Sequence, residues 1–397
     1  MRFFRRASTG RLLLFLAVVT AAAVGVGSGA VAAFGGGGTA PPGQPLDAAI
    51  QQALSAPSVD GVSARISFTN HVVSSDVLPE GTGLGPLLAG ASGRLWATSD
   101  GRFRIELQAD NGDTEILSDG QTLTVYDVHA NTVYRLQLPA RTDSGSSGQQ
   151  QTPPTIARID DALQRLGDYA TVSGAEPSTV AGQPAYTVRL EPKTSAGLLG
   201  AAEVAWDAVR GVPLRVAIYA RGDSTPTLEL AVTDISYGPV ADSDVTITPP
   251  ASAKVTDLGQ LGLGGPDTSG SQPSTPVTGL AAVSAALPFQ LVAPGTVGGL
   301  ALEHVRLVGG QDHPAALLLY GHGLGAIAVL ERATPTDTQT QQSPLDNLPT
   351  VTINGTKAHE LQATLGTILT FDRAGVTYVV AASATPTTIE AAATDLG

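Results

Sequence analysis

The sequence contains no cysteine, and only three of its 397 residues are lysine. Without cysteine there is no disulfide, no thiolate metal site, no cysteine nucleophile and no lipid-modified lipobox thiol. Positive charge is scarce as well: 22 Lys and Arg stand against 35 Asp and Glu, a formal net charge of −13. Four of the basic residues, Arg2, Arg5, Arg6 and Arg11, come before any acid, so beyond residue 34 the balance is 18 basic to 35 acidic. Such an excess of carboxylates repels phosphate backbones, whose binding depends on clustered Lys and Arg that release counterions. Nucleic acid is not an expected partner. Charged residues make up 14% of the chain and apolar ones 42%, enough apolar material for large cores and too much for wholesale disorder.

The chain also lacks the local signatures of catalysis. Its six histidines show no H-x-x-x-H or HExxH spacing, so no ligand set is pre-arranged on one helix or strand. There is neither a G-x-S-x-G nucleophile elbow nor a GxxxxGK[ST] phosphate loop. Asp160 and Asp161 are neighbours on a predicted helix and so point apart, and acids near a helix N-terminus are ordinary partners of its dipole. Gly321, Gly323 and Ala326 fit a G-x-G-x-x-A fingerprint. That motif needs a long helix next and an acid about 20 residues on, at a strand end. The segment after the glycines is instead "AIAVLERATP", short and β-branched, and Asp346 lies in a Gln/Ser/Pro loop. The spacing predicts a hairpin, with residues 315–320 and 326–331 antiparallel across the glycines. No enzyme, cofactor or metal is expected.

The features that are present begin with an export signal. "MRFFRR" and Arg11 precede a stretch without charge from residue 12 to 34. Basic residues ahead of an apolar run direct the remainder of a chain out of the cytoplasm. Small residues allow cleavage after Ala32 or Ala33, and the run is also long enough to stay as a single anchor. Residues 35–45, "GGGGTAPPGQP", form a flexible spacer.

From residue 46 the periodicity is structural. "LDAAIQQAL" has helical spacing and ends at Pro57. Up to about residue 250 the pattern is mostly period two: "GRFRIEL" sets Phe103, Ile105 and Leu107 against Arg102, Arg104 and Glu106. "SDGQTLTVYD" turns at Asp119-Gly120 and sets Leu123 and Val125 against Thr124 and Tyr126. This predicts an antiparallel meander with one buried face. One helix interrupts it over about 155–168, with Ile156, Ile159, Leu163 and Leu166 as an apolar stripe and Thr155 as N-cap. The Ser/Gly/Gln stretch 143–151 before it reads as a mobile loop. A Gly/Ser/Pro/Thr-rich linker over about 256–278 divides the chain. The remainder, 279–397, has strand-like runs near 301–307, 315–320, 326–331, 350–353, 366–372 and 377–382, then a closing helix.

An antiparallel sheet has to bury its apolar face against something. If the short helices cover it completely the result is a packed core; if they do not, the remaining concavity suits acyl chains.

Several of these motifs together resemble a family. Phe103-Arg104-Ile105-Glu106, the Asp119-Gly120 hairpin with Leu123 and Tyr126-Asp127, and Val133-Tyr134-Arg135 are similar in order and spacing to the LolA-like lipoprotein-carrier and RseB-type superfamily. "TVAGQPAYTVRLEPK", "VAWDAVRGVPLRVAIY" and "LAVTDISYGPVADSDVTITPP" look like its later strands, so the likeness spans about 46–255. Residues 279–397 more weakly resemble the small domain of RseB-type and anti-sigma-associated regulators. The resemblance implies a mainly β, α+β protein. Its first domain would be an incomplete antiparallel β-barrel plugged by helices, enclosing a cavity for lipid or lipoprotein acyl chains, with a smaller α+β domain behind. It implies a non-catalytic extracytoplasmic protein of the cell envelope. The acyl ligand is expected among Phe103, Ile105, Leu107, Leu123, Val125, Trp206, Leu214, Val216 and Ile218. The alternative is a regulator whose two domains hold a membrane anti-sigma factor.

Overall fold

The structure, a computed structural model, describes residues 39–73, 87, 90–110, 112–138, 155–257, 277–309, 314–334 and 348–397. The leader, the 143–151 loop, Asp346 and nearly all of the 256–278 linker lie outside the described residues. The protein is mainly β and contains two curled sheets. The first has 13 strands in the order β13-β6-β5-β4-β3-β2-β1-β12-β11-β10-β9-β7, with β8 paired to β9. Its strands are β1 Gly61–Asn70, β2 Ala91–Thr98, β3 Phe103–Ala109, β4 Gly112–Ser118, β5 Thr122–Asp127 and β6 Thr132–Gln137. They continue as β7 Ala170–Val172, β8 Glu176–Val180, β9 Gln183–Pro192, β10 Leu199–Asp207, β11 Pro213–Ala220, β12 Leu228–Tyr237 and β13 Lys254–Asp257. This is an incomplete, half-barrel sheet, as the period-two patterning and the family resemblance imply.

One pairing departs from a pure meander. β13 returns to lie parallel to β6, with Val255 opposite Val133. Period-two patterning specifies which side chains share a face but not the direction of a distant partner strand, so this pairing was not legible locally.

Among the described residues two helices accompany this sheet: α1, Leu46–Ser55, and α2, Ile156–Gly167. Helix α1 seats Ala49 and Leu46 against Tyr186, Ala208 and Trp206. Gln52 Nε2 donates to the Ala208 carbonyl at 2.9 Å. The Ala53 backbone approaches Gly211 (φ +68) so closely that a Cβ there would lie 2.3 Å from the Ala53 oxygen. Helix α2 has its main contacts with α1 and edge strand β7. Only Ile159 of its stripe is fully buried, and Ile156 and Leu166 stay exposed. Thr155 occupies the N-cap but makes no side-chain capping bond. The cap residue was legible in sequence; its hydroxyl geometry was not.

The second sheet has eight strands in the order β14-β15-β16-β17-β21-β20-β19-β18. These are β14 Thr296–Val297, β15 Leu300–Val308, β16 Ala315–Tyr320, β17 Ile327–Ala333, β18 Thr350–Ile353, β19 Thr356–Ala363, β20 Gly366–Arg373 and β21 Val376–Ala382. Helices α3, Leu280–Ala286, and α4, Pro386–Thr394, complete this α+β unit. α4 packs on β20 and β21 and buries Ile389, Ala392 and Ala393 in a core with Leu318, Val329, Leu369 and Val380. Strand β19 and helix α3 were not read from the sequence. β19, "TKAHELQA", alternates charged and polar residues on both parities, and it includes a buried glutamate.

The glycine-rich stretch turns a corner. Ala315–Tyr320 pairs antiparallel with β17, Tyr320 opposite Ile327 and Ala316 opposite Glu331. Gly321 and Gly323 hold φ of +68 and +65, values an L side chain adopts only at a cost. A 3-10 turn, Gly323–Gly325, joins them to an extended Ala326 where a phosphate loop would start its helix.

Candidate functional site: the apolar face of the half-barrel

Residues directly opposite each other in neighbouring strands share a face, so register traces the site. Ile105 faces Leu95 on one side and Ile116 on the other, and Ile116 faces Val125. Phe103 lies between Ala97 and Ser118, and Ser118 opposite Leu123. Leu107 stands beside Gly93, which faces Ile66 of β1. Across β1, Ile66 meets Val232 and Phe68 meets Leu230. Leu230 meets Val216, Val216 meets Val204, and Trp206 meets Tyr186. Leu214 and Ile218 share the parity of Val216 on β11. The fold therefore places all nine expected residues on one continuous apolar face.

They are not equally available. Leu107, Leu214 and Ile218 are buried at 2%, 1% and 5% exposure, and act as core. Phe103, Ile105, Leu123, Val125, Trp206 and Val216 are half-buried. Phe103, Ile105 and Leu107 join one cluster with Val62, Ala64, Ile66, Leu95, Ile116 and Ile235. Trp206 belongs to a separate cluster beneath α1. Its indole Nε1 is buried without a hydrogen-bond partner. The helix thus occupies the space over Trp206, and the open part of the face lies toward β3–β6.

Along β4–β6 the apolar side chains of the inner face, Ile116, Leu123, Val125, Tyr134 and Leu136, are only half-buried, whereas its polar members Thr114, Ser118 and Asp127 are buried, as are Leu117, Tyr126 and Val133 on the other face. This half-open apolar stretch is the trough. Sequence reading missed the β1 contribution, Val62, Ala64, Ile66 and Phe68, although the alternation in "GVSARISF" is a legible signal. It also missed Ile116, Tyr134 and Leu136, whose place becomes evident only once register is known.

The trough is polar at its margins. Asp207, fully buried, accepts the Tyr237 hydroxyl at 2.6 Å and the Val209 and Arg210 amides at 2.8 Å. Burial, then the bond to Asp207, pushes the Tyr237 hydroxyl up, so it stays a donor. Asp127 Oδ2 and Thr114 Oγ1, on facing residues of β5 and β4, are buried without partners. On the convex face, Glu203 takes hydrogen bonds from Arg189, Arg215 and Tyr219 at 2.7–2.8 Å. Burial alone would raise this carboxyl, but those donors hold it below the ordinary value. Across the two faces, ion pairs sit outside and hydrocarbon inside. Among the described residues no group of three or more His, Asp or Glu is arranged to hold a metal, and no helix is long and apolar enough to cross a membrane.

Fold and apolar face together define a mainly β protein built on a half-barrel sheet. Residues 62–146, a range that includes β2–β6, match a family described as "Predicted periplasmic protein (DUF2092)". Among curated proteins none matches the sequence. Among solved structures, the chain is similar to MucB in complex with the periplasmic part of MucA, at TM-score 0.42 and 15% identity, over 88% of this chain and 94% of that chain. The Pseudomonas aeruginosa MucA/MucB complex gives TM-score 0.41 and 16% identity over the same shares. A Vibrio parahaemolyticus domain assigned to outer-membrane lipoprotein sorting gives TM-score 0.23 and 12% identity, over 51% of this chain and 96% of that one.

Proposed function

We propose that this protein binds lipid or lipoprotein acyl chains in the trough of its half-barrel, outside the cytoplasm, and performs no chemistry on them. The observation that carries this reading is the row of apolar side chains along β4–β6, Ile116, Leu123, Val125, Tyr134 and Leu136, that share one face and stay only half-buried. Removing apolar area from water yields about 25 cal/mol per Å², so an alkyl chain laid along these residues is favoured without any charged contact. Phe103, Ile105 and Val216 extend the same surface, while Leu107, Leu214 and Ile218 form its floor. Native mass spectrometry of the protein purified from its own host tests this. A co-purifying lipid mass is expected; a clean apo mass that also fails to take up a fluorescent fatty acid would overturn the reading.

The second α+β unit, with its own core, favours the alternative in one respect: an acyl-chain shuttle has no need of it. In that alternative the two units together hold a membrane anti-sigma factor. Its distinguishing result is retention of such a partner in a pull-down by the full chain, lost when the second unit is removed.

A further inference from the structure

The glycine-rich turn meets the first unit. A Cβ on Gly325 would lie 2.6 Å from the Ala196 Cβ, and one on Gly197 (φ +91) would lie 3.0 Å from the Leu324 carbonyl. Beside this contact the Leu198 amide donates to Ser383 Oγ at 2.9 Å. A second contact lies farther along: the Thr364 amide donates to the Val72 carbonyl at 2.8 Å, and Thr364 Oγ1 donates to the His71 carbonyl at 2.7 Å.

Topology makes these two contacts more than adjacency. Gly325, Ser383 and Thr364 all lie at one end of the second sheet, where Ala382 pairs with Ile327 on one side and Thr367 on the other. His71–Val72 continues β1, and 196–198 joins β9 to β10, so the contacts also fall at one end of the first sheet. There they grip strands separated by β12 and β11, a span of about 14 Å at ordinary strand spacing. The gripped strands carry the apolar face on either side: Ile66 and Phe68 on β1, and Val204 with Trp206, which lies beneath α1, on β10. A sheet's curvature sets the distance between such strand ends. A rigid second sheet fastened at both points holds that distance.

We infer that the C-terminal unit is a brace: docked through the Gly323–Gly325 turn and Thr364, it sets the curvature of the half-barrel and hence the width of the trough. This rests on the binding reading above only for its functional consequence. If the trough widens to admit an acyl chain, docking and binding are linked, and each must change the other by the same factor.

The absence of cysteine makes the test direct, because introduced thiols are the only ones in the chain. One spin-label pair, Thr69→Cys with Thr171→Cys, reports the end of the first sheet. Another, Thr233→Cys with Thr352→Cys, reports the distance between units. Both distances should be narrowly distributed in the parent protein and broadened in Gly325→Leu, whose side chain has no room against Ala196. The double variant Ser383→Ala, Thr364→Val removes docking hydrogen bonds without adding bulk and should broaden both distributions to a lesser degree. Affinity for a fluorescent fatty acid should shift by about fivefold or more in Gly325→Leu. A broad inter-unit distance in the parent protein would overturn docking. Loss of docking with an unchanged Thr69–Thr171 distance would overturn the brace. Narrow distances in the parent that broaden in Gly325→Leu, with no fatty-acid binding in either, would overturn the binding reading and leave the brace standing.

Discussion

At the scale of single residues, burial separates the floor of the trough from its walls. Leu214 is 1% exposed and Ile105 half-buried, though both project from one face. Leu214→Ala leaves a closed cavity and should cost about 2–5 kcal/mol of stability, measurable by urea unfolding. Ile105→Ala should cost about 1 kcal/mol or less while weakening fatty-acid binding. Equal stability losses would show that Ile105 is ordinary core. Glu331 is another residue whose environment overrides its type. It sits fully buried on β17 between Ala316 and Tyr378, with one oxygen on the Val292 amide at 3.0 Å and the other unpartnered. Burial pushes its carboxyl up to about 7, against the pull of that amide. The titratable groups that bear on it are Tyr320 and Tyr378, both themselves pushed up by burial. The folded protein therefore holds this proton more tightly than the unfolded chain does. Its contribution is most favourable below about pH 4.5 and is lost as pH rises to about 7, by up to about 3 kcal/mol. Unfolding of Glu331→Gln should lose that slope and be more stable than the parent at pH 8; an unchanged pH profile would refute the assignment.

At the scale of elements, the strands of the half-barrel are held by backbone geometry as much as by hydrocarbon. Gly93 of β2 sits between Ile66 and Leu107 on the apolar face, and a Cβ there would meet the Glu106 carbonyl at 1.9 Å. The obstacle is backbone and cannot rotate away. Gly93→Ala should therefore displace β3 against β2 and cost about 3 kcal/mol or more. Amide exchange should quicken across both strands; exchange confined to residue 93 would contradict this. The helices behave differently. The stripe Ile156, Ile159, Leu163, Leu166 correctly announced α2, but periodicity cannot name what an apolar stripe packs against. Here it is α1 and β7, with Ile156 and Leu166 left exposed.

At the scale of the whole molecule, charge is one-signed. With 18 basic to 35 acidic residues beyond position 34, the protein from residue 35 onward should not co-sediment with anionic phospholipid vesicles at low ionic strength, where the Debye length reaches about 30 Å. Retention on such vesicles would indicate a local basic surface stronger than the net charge. The features legible from the amino acids alone are those that depend on local alternation and punctuation. The half-barrel strands, α1, α2 and α4, and the hairpin at Gly321–Gly325 all derive from side-chain period and glycine tolerance. So does the membership of Phe103, Ile105, Leu123, Val125 and Val216 in a single face, because period two carries facing information along each strand. Only the tertiary structure decided which face stays open, that β13 runs parallel to β6, and that Glu331 is buried. It also decided that Gly325 is needed against Ala196. Each of these depends on which distant segment arrives at a given surface, and no residue's near neighbours in sequence encode that arrival.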